Sequence, residues 1–174
     1  MRITPEDLIK IREPEDLSEP SMAELRAFRD AFQEVEYGLS YVRRVIHGRL
    51  DTIMAELHRR SGAIDAEVDL LGILPKVLAT NVRGSGLPRP VREMDPPEWA
   101  DGLLVELDEL LRPNELGNLQ ELSDERLGES AEKIAAFERE ISKSRTGMHS
   151  RIDRIQDELI TRYRNGASVE DLLT

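Results

Sequence analysis

The sequence predicts an all-α protein: an antiparallel two-helix coiled coil with a short helical insert between the long helices. Three observations predict it. Two stretches, 25–53 and 127–159, carry apolar residues at alternating steps of three and four, the spacing of a coiled-coil seam. Each stretch opens on a serine followed by acidic residues, which is a helix start. The composition combines 34% charged residues with only 4% aromatics, which suits long helices around a narrow core.

Each element has its own local signals. Residues 1–20 read as a short N-terminal helix and arm. Thr4-Pro5-Glu6-Asp7 supplies a cap, a first-turn proline and acidic residues, and Pro14 and Pro20 break the chain up before residue 21. Residues 21–62 form the first long helix. Ser21 and Glu24 make a capping box, and the seam is Leu25, Phe28, Phe32, Val35, Leu39, Val42, Ile46 and Ile53, with Arg49 filling one gap. Ser61-Gly62 ends it. Residues 63–122 are the insert: an apolar helix over 64–80 broken at Pro75, a Gly/Pro-rich loop over 83–97, a helix over 98–111, and a short link over 114–122. Pro113-Asn114 stops the 98–111 helix, and Trp99 reads as an anchor packing the insert on the long helices. Residues 123–165 form the second long helix. Its seam is Leu127, Ile134, Phe137, Ile141, Ser144, Met148, Ile152, Ile155 and Leu159, and Gly166 closes it as a left-handed cap. Residues 166–174 are a tail in which Ser168 starts a final turn.

Composition excludes several classes. Without cysteine there is no disulfide framework, no thiolate zinc site and no thiol nucleophile. No apolar run approaches the roughly 20 residues of a membrane span. The opening MRITPEDLIKIREPEDL is too acidic and polar for a signal peptide, so a cytoplasmic location is expected. With 24 Lys and Arg against 35 Asp and Glu, the net charge is −11, which argues against direct nucleic-acid binding and for covering a partner's basic surface. No phosphate loop, nucleophile elbow or zinc-protease motif is present, so an enzyme is not expected.

The chain repeats itself. Residues 36–60 and 138–162, offset by 102, are identical at ten of 25 positions. The shared residues include a polar set with the spacing E-x3-S-x2-R-x3-H-x3-D. In the first copy it is Glu36, Ser40, Arg43, His47 and Asp51; in the second, Glu138, Ser142, Arg145, His149 and Asp153. At about 100° per residue these steps hold five side chains within a stripe about 80° wide. Each polar residue comes one position after a seam residue, so both stripes flank the seam in one register. Taken singly, Glu36, Arg49, Glu56 and Arg60 read as seam flanks or ion pairs. A plain ion-pair flank gives no reason for Ser and His at fixed places.

The set suits nucleotide recognition. Arginine bonds guanine O6 and N7 in bidentate fashion and stacks on base planes. A carboxylate accepts from the guanine Watson–Crick edge, and Ser and neutral His offer phosphate or base contacts. A duplicated site suits a ligand that is itself two-fold symmetric.

The motif, once on each long helix, resembles the signature of the RsiG family, cyclic di-GMP-dependent anti-sigma factors of filamentous actinobacteria. The closing ELITRYRNGASVEDLL is also similar. The resemblance implies a helix pair that holds two cyclic di-GMP molecules as an intercalated dimer. It implies that the loaded protein sequesters a WhiG or flagellar-type sporulation sigma factor from RNA polymerase. The ten motif residues would bind the ligand, with Arg49 and Arg151 as further candidates. The family signature has Gln where this chain has His47 and His149. A ring nitrogen can replace the amide donor and adds pH sensitivity.

Two other readings stand beside it. His47 with Asp51, and His149 with Asp153, are i,i+4 pairs of metal-ligand type, but two ligands are too few and the neighbouring arginine repels a cation; no metal is expected. A coiled-coil adaptor or dimerisation module explains seams and acidity but leaves the polar repeat unexplained. His58 belongs to neither motif and reads as a surface residue.

Overall fold

The computed structural model describes residues 14, 16–62 and 96–166. The expected helices within 1–13 and 64–80, most of the 83–97 loop and the turn at Ser168 lie outside the described residues. Among the described residues the elements are α1 (Met22–Arg60), α2 (Trp99–Leu110), α3 (Pro113–Gly117), a 3₁₀ turn (Leu119–Glu121) and α4 (Asp124–Arg164).

Local chemistry sets the ends of the long helices. The Ser21 hydroxyl accepts from the Glu24 N–H, and the Glu24 carboxylate accepts from the Ser21 N–H at 2.7 Å, the reciprocal capping box. Ser123 caps α4 by accepting from Arg126 N–H. Beyond the C-terminal ends, Gly62 and Gly166 take φ values of +68° and +91°, which glycine adopts without a Cβ clash. Pro113 opens α3 at its first turn as well as ending α2, since a first-turn proline has no intrahelical N–H to lose.

α1 and α4 pack antiparallel. Arg26 bonds Tyr163, Arg43 bonds Ser142 and Arg60 bonds Asp124, so numbers rise along one helix as they fall along the other. The seam is as the spacing predicts: Leu25, Phe32, Val35, Leu39, Val42, Ile46 and Ile53 are buried against Leu127, Ile134, Phe137, Ile141, Met148, Ile155 and Leu159. Phe28 and Ile152 pack against it half-buried. Ser130 joins it, fully buried, in the seven-residue gap between Leu127 and Ile134. Two expected seam positions differ. Ser144 and Arg49 are only part-buried, and Arg49 reaches out of the seam to Asp108 and to the Leu111 carbonyl.

α2 covers one groove of the pair. It buries Ala100, Leu103 and Leu107, and Trp99 lies against Gly38. A Cβ on Gly38 would meet the Trp99 ring at 2.4 Å, so glycine is what lets the insert dock this closely. Gly38→Ala is therefore expected to push Trp99 outward and cost about 1–3 kcal/mol. Thermal denaturation with Trp99 fluorescence checks it; an unchanged melting temperature and spectrum would contradict the contact.

The repeat extends further than the sequence comparison found. Arg60, held by Glu56, donates to the carbonyls of Leu119 and Leu122 and to Asp124. Arg162, held by Glu158, donates to the carbonyls of Leu17, Ser18 and Pro20. Leu17 and Pro20 lie 102 residues before Leu119 and Leu122, so the two clamps are copies. Each ties the end of one long helix to the segment entering the other. The expectation of ion pairs for Glu56 and Arg60 holds.

Candidate ligand-binding face

The polar stripes come together on one face. Gly38 and Arg49, which carry the insert, lie roughly on the opposite side of α1 from the stripe, at about 100° per residue. The insert therefore fills one groove of the pair and the motif residues line the other.

The geometry is two-fold symmetric. Arg43 Nε donates to Glu138 Oε1 at 2.9 Å and to Ser142 Oγ at 2.9 Å. Arg145 Nε donates to Glu36 Oε1 at 2.9 Å and to Ser40 Oγ at 2.8 Å. Each serine also donates to the glutamate of its own helix at 2.7 Å. His47 Nε2 lies 3.1 Å from Glu138 Oε1, and His149 Nε2 lies 3.2 Å from Glu36 Oε1. Four of the five motif positions of each copy thus form one cross-helix cluster. The glutamate side chains are 18–20% exposed and the histidines 44–45%, so carboxylates form the floor and imidazoles the rim.

Asp51 and Asp153 stand apart. Both are exposed, one turn beyond the histidines, at opposite ends of the face. Among the described residues no hydrogen bond draws them into the cluster. Arg49 is held by the insert, and Arg151 lies with its guanidinium 5.7 Å from the Phe32 ring centre. His58 is exposed, as expected.

The register differs from the expected one. Centring the motifs on Arg43 and Arg145 predicts residue 61 beside residue 127 and histidines about 12 Å apart. Instead Arg60 reaches Asp124 and His47 is level with Glu138. His149 is eleven residues beyond Glu138, which places the histidines about 17 Å apart along the axis. The physical reason is charge. Arginine facing arginine would be repulsive, whereas this register sets each Arg against a Ser and each His against a Glu. The charges of Arg43 and Arg145 are thereby offset within the protein by Glu138 and Glu36.

Glu138 is held down to about 2 from its ordinary 4.5, first by the Ser142 hydroxyl, then by His47 and Arg43, against the opposing effect of burial. A depressed carboxyl contributes stability that is complete above pH 4.5 and lost as pH falls toward 2. Thermal melts between pH 7 and 3 should show wild type losing more stability than Glu138→Gln. Parallel losses would contradict the assignment.

Among the described residues, no group of three or more His, Asp or Glu is placed to hold a metal ion, and no helix is long and apolar enough to cross a membrane.

Comparison with known proteins adds one match. The family described as RsiG-like matches residues 11–77, which include α1 and the first motif copy. Over those residues the chain is similar to that family. The second copy, on α4, lies beyond the match and is tied to the first by the repeat and the cross-helix bonds. No curated protein matches the chain.

Proposed function

We propose that this face binds cyclic di-GMP, two molecules as an intercalated dimer, and that the loaded chain sequesters a sigma factor of the WhiG or flagellar type. The RsiG-like match suggests the anti-sigma role and a sigma factor as partner. One observation carries the ligand reading: the duplicated Glu, Ser, Arg and His converge from both helices into a two-fold cluster on the side of α1 away from the insert.

The residues have distinct roles in this reading. Glu138 and Ser142 hold Arg43 through Nε alone, and Glu36 and Ser40 hold Arg145 likewise. Among the described residues the outer nitrogens of both guanidinium groups carry no hydrogen bond. They supply the two-pronged donor that guanine O6 and N7, or a phosphate, accepts. Asp51 and Asp153 are exposed acceptors at the ends of the face, suited to the guanine N1–H and amino group. The histidines occupy the place of the family's Gln beside each glutamate. The acidic remainder of the chain complements a basic sigma surface, so binding to the partner should weaken with rising salt.

Titration calorimetry of the purified chain with cyclic di-GMP, with cyclic di-AMP as control, tests the reading. The expected result is guanine-selective binding near two molecules per chain. No binding with or without a candidate sigma factor overturns it and leaves a coiled-coil adaptor.

A further inference from the structure

The charge of the chain reverses sign at this face. The whole sequence carries −11, yet residues 36–47 and 138–149 together hold five Arg and Lys against three Glu. One of those glutamates, Glu140, lies roughly opposite the stripe on α4, at about 100° per residue. The surplus comes from Arg44, Arg139 and Lys143, all outside the motif and all exposed. Among the described residues none of the three has an ion pair or hydrogen-bond partner.

Their placement is one-sided. Arg44 lies beside the stripe on α1, next to Arg43. Arg139 lies beside the stripe on α4, directly after Glu138; Lys143, about 6 Å further along the axis, lies farther round on the outer side of α4, between Arg139 and Glu140. Arg43 bonds both Glu138 and Ser142, so Arg44 and Arg139 flank that half of the cluster and Lys143 stands outside it on the same helix as Arg139. The repeat does not reproduce them. At the 102-residue offset, Arg44 becomes Thr146, and Arg139 and Lys143 correspond to Tyr37 and Tyr41. The half centred on Arg145 therefore has two tyrosines and a threonine where the Arg43 half has three cations.

We infer that Arg44, Arg139 and Lys143 form a phosphate-binding rim that makes the Arg43 half of the face the tighter site for a phosphodiester ligand. The inference rests on the nucleotide reading for the identity of the ligand, and on the charge distribution alone for the rim. Three cations beside one half of the cluster raise the local anion concentration and offer phosphate donors there. The arginine guanidinium fork and the lysine ammonium are both phosphate binders. The two halves thus share a motif and differ in electrostatics.

The test uses the full chain and two probes. Calorimetry tracks cyclic di-GMP, and amide chemical shifts track inorganic pyrophosphate. The expected result for Arg44→Ala/Arg139→Ala/Lys143→Ala is about tenfold weaker cyclic di-GMP binding with a flatter salt dependence. Pyrophosphate should shift residues 43–47 and 138–143 of wild type more than their repeat counterparts, and the triple variant should abolish this. A control losing three cations elsewhere, Arg59→Ala/Arg112→Ala/Lys133→Ala, should leave both unchanged. Equal cyclic di-GMP affinity in wild type and triple variant overturns the rim and leaves the ligand reading standing. Pyrophosphate shifts that vanish in the triple variant, without any cyclic di-GMP binding in the presence or absence of a candidate sigma factor, support the rim and overturn the ligand reading. Shifts of equal size in both halves, or none, overturn the rim.

Discussion

Replacing Arg43 and Arg145 together by alanine is expected to abolish cyclic di-GMP binding, a loss of at least about a hundredfold in affinity. Each guanidinium is a two-pronged donor held at Nε by a carboxylate and a hydroxyl from the helices. Alanine removes the donor and leaves Glu36 and Glu138 as excess negative charge where an anionic ligand must approach. Both effects act in the same direction. The seam lies beneath these residues and keeps its apolar contacts, so the helix pair should remain folded. Titration calorimetry of the double variant, with circular dichroism to confirm helicity, checks this. Wild-type affinity in a folded double variant would remove the motif face from the ligand reading. The single variants should differ, Arg43→Ala being the more damaging, because the cationic rim lies beside that half.

Arg60→Ala and Arg162→Ala are expected to be the most destabilising polar substitutions, at about 2–4 kcal/mol each. Each arginine is pinned by a glutamate one turn earlier and satisfies at least two backbone carbonyls of the segment entering the opposite helix. Their side chains are only 19% and 21% exposed, so water replaces those bonds incompletely. The clamps sit at opposite ends of the pair, so the two costs should add. Arg59 is the control. It also pairs with Glu56, but at 62% exposure its removal should cost less than about 0.5 kcal/mol. Chemical denaturation measures the losses, and hydrogen exchange should show the entry segments at 17–22 and 119–124 opening first. If Arg60→Ala and Arg59→Ala are equally mild, the clamp has no structural role.

The long helices were legible because their information is local. The serine caps, the acidic first turns, the alternating three and four spacing and the closing glycines each act within a few residues. The polar stripe was legible for another reason. A five-position pattern recurring at a fixed offset shows itself without any knowledge of what lies across from it. Trp99 as an anchor was also readable, from its place after a proline-rich loop. Its socket was not. Gly38 looks like any helix glycine until the ring of Trp99 is found against it.

The sequence by itself determined the all-α architecture, the limits of both long helices and the two five-residue polar stripes that would share one face. The tertiary structure alone decided the register, and with it who pairs with whom. Arg43 meets Glu138 and Ser142 rather than Arg145, Arg49 turns to the insert, and Arg60 and Arg162 grip main-chain carbonyls. Seam periodicity fixes which side of a helix is buried but tolerates sliding by whole turns. Cross-helix charge pairing selects one slide among them, and a carbonyl acceptor leaves no mark in a sequence because every residue has one.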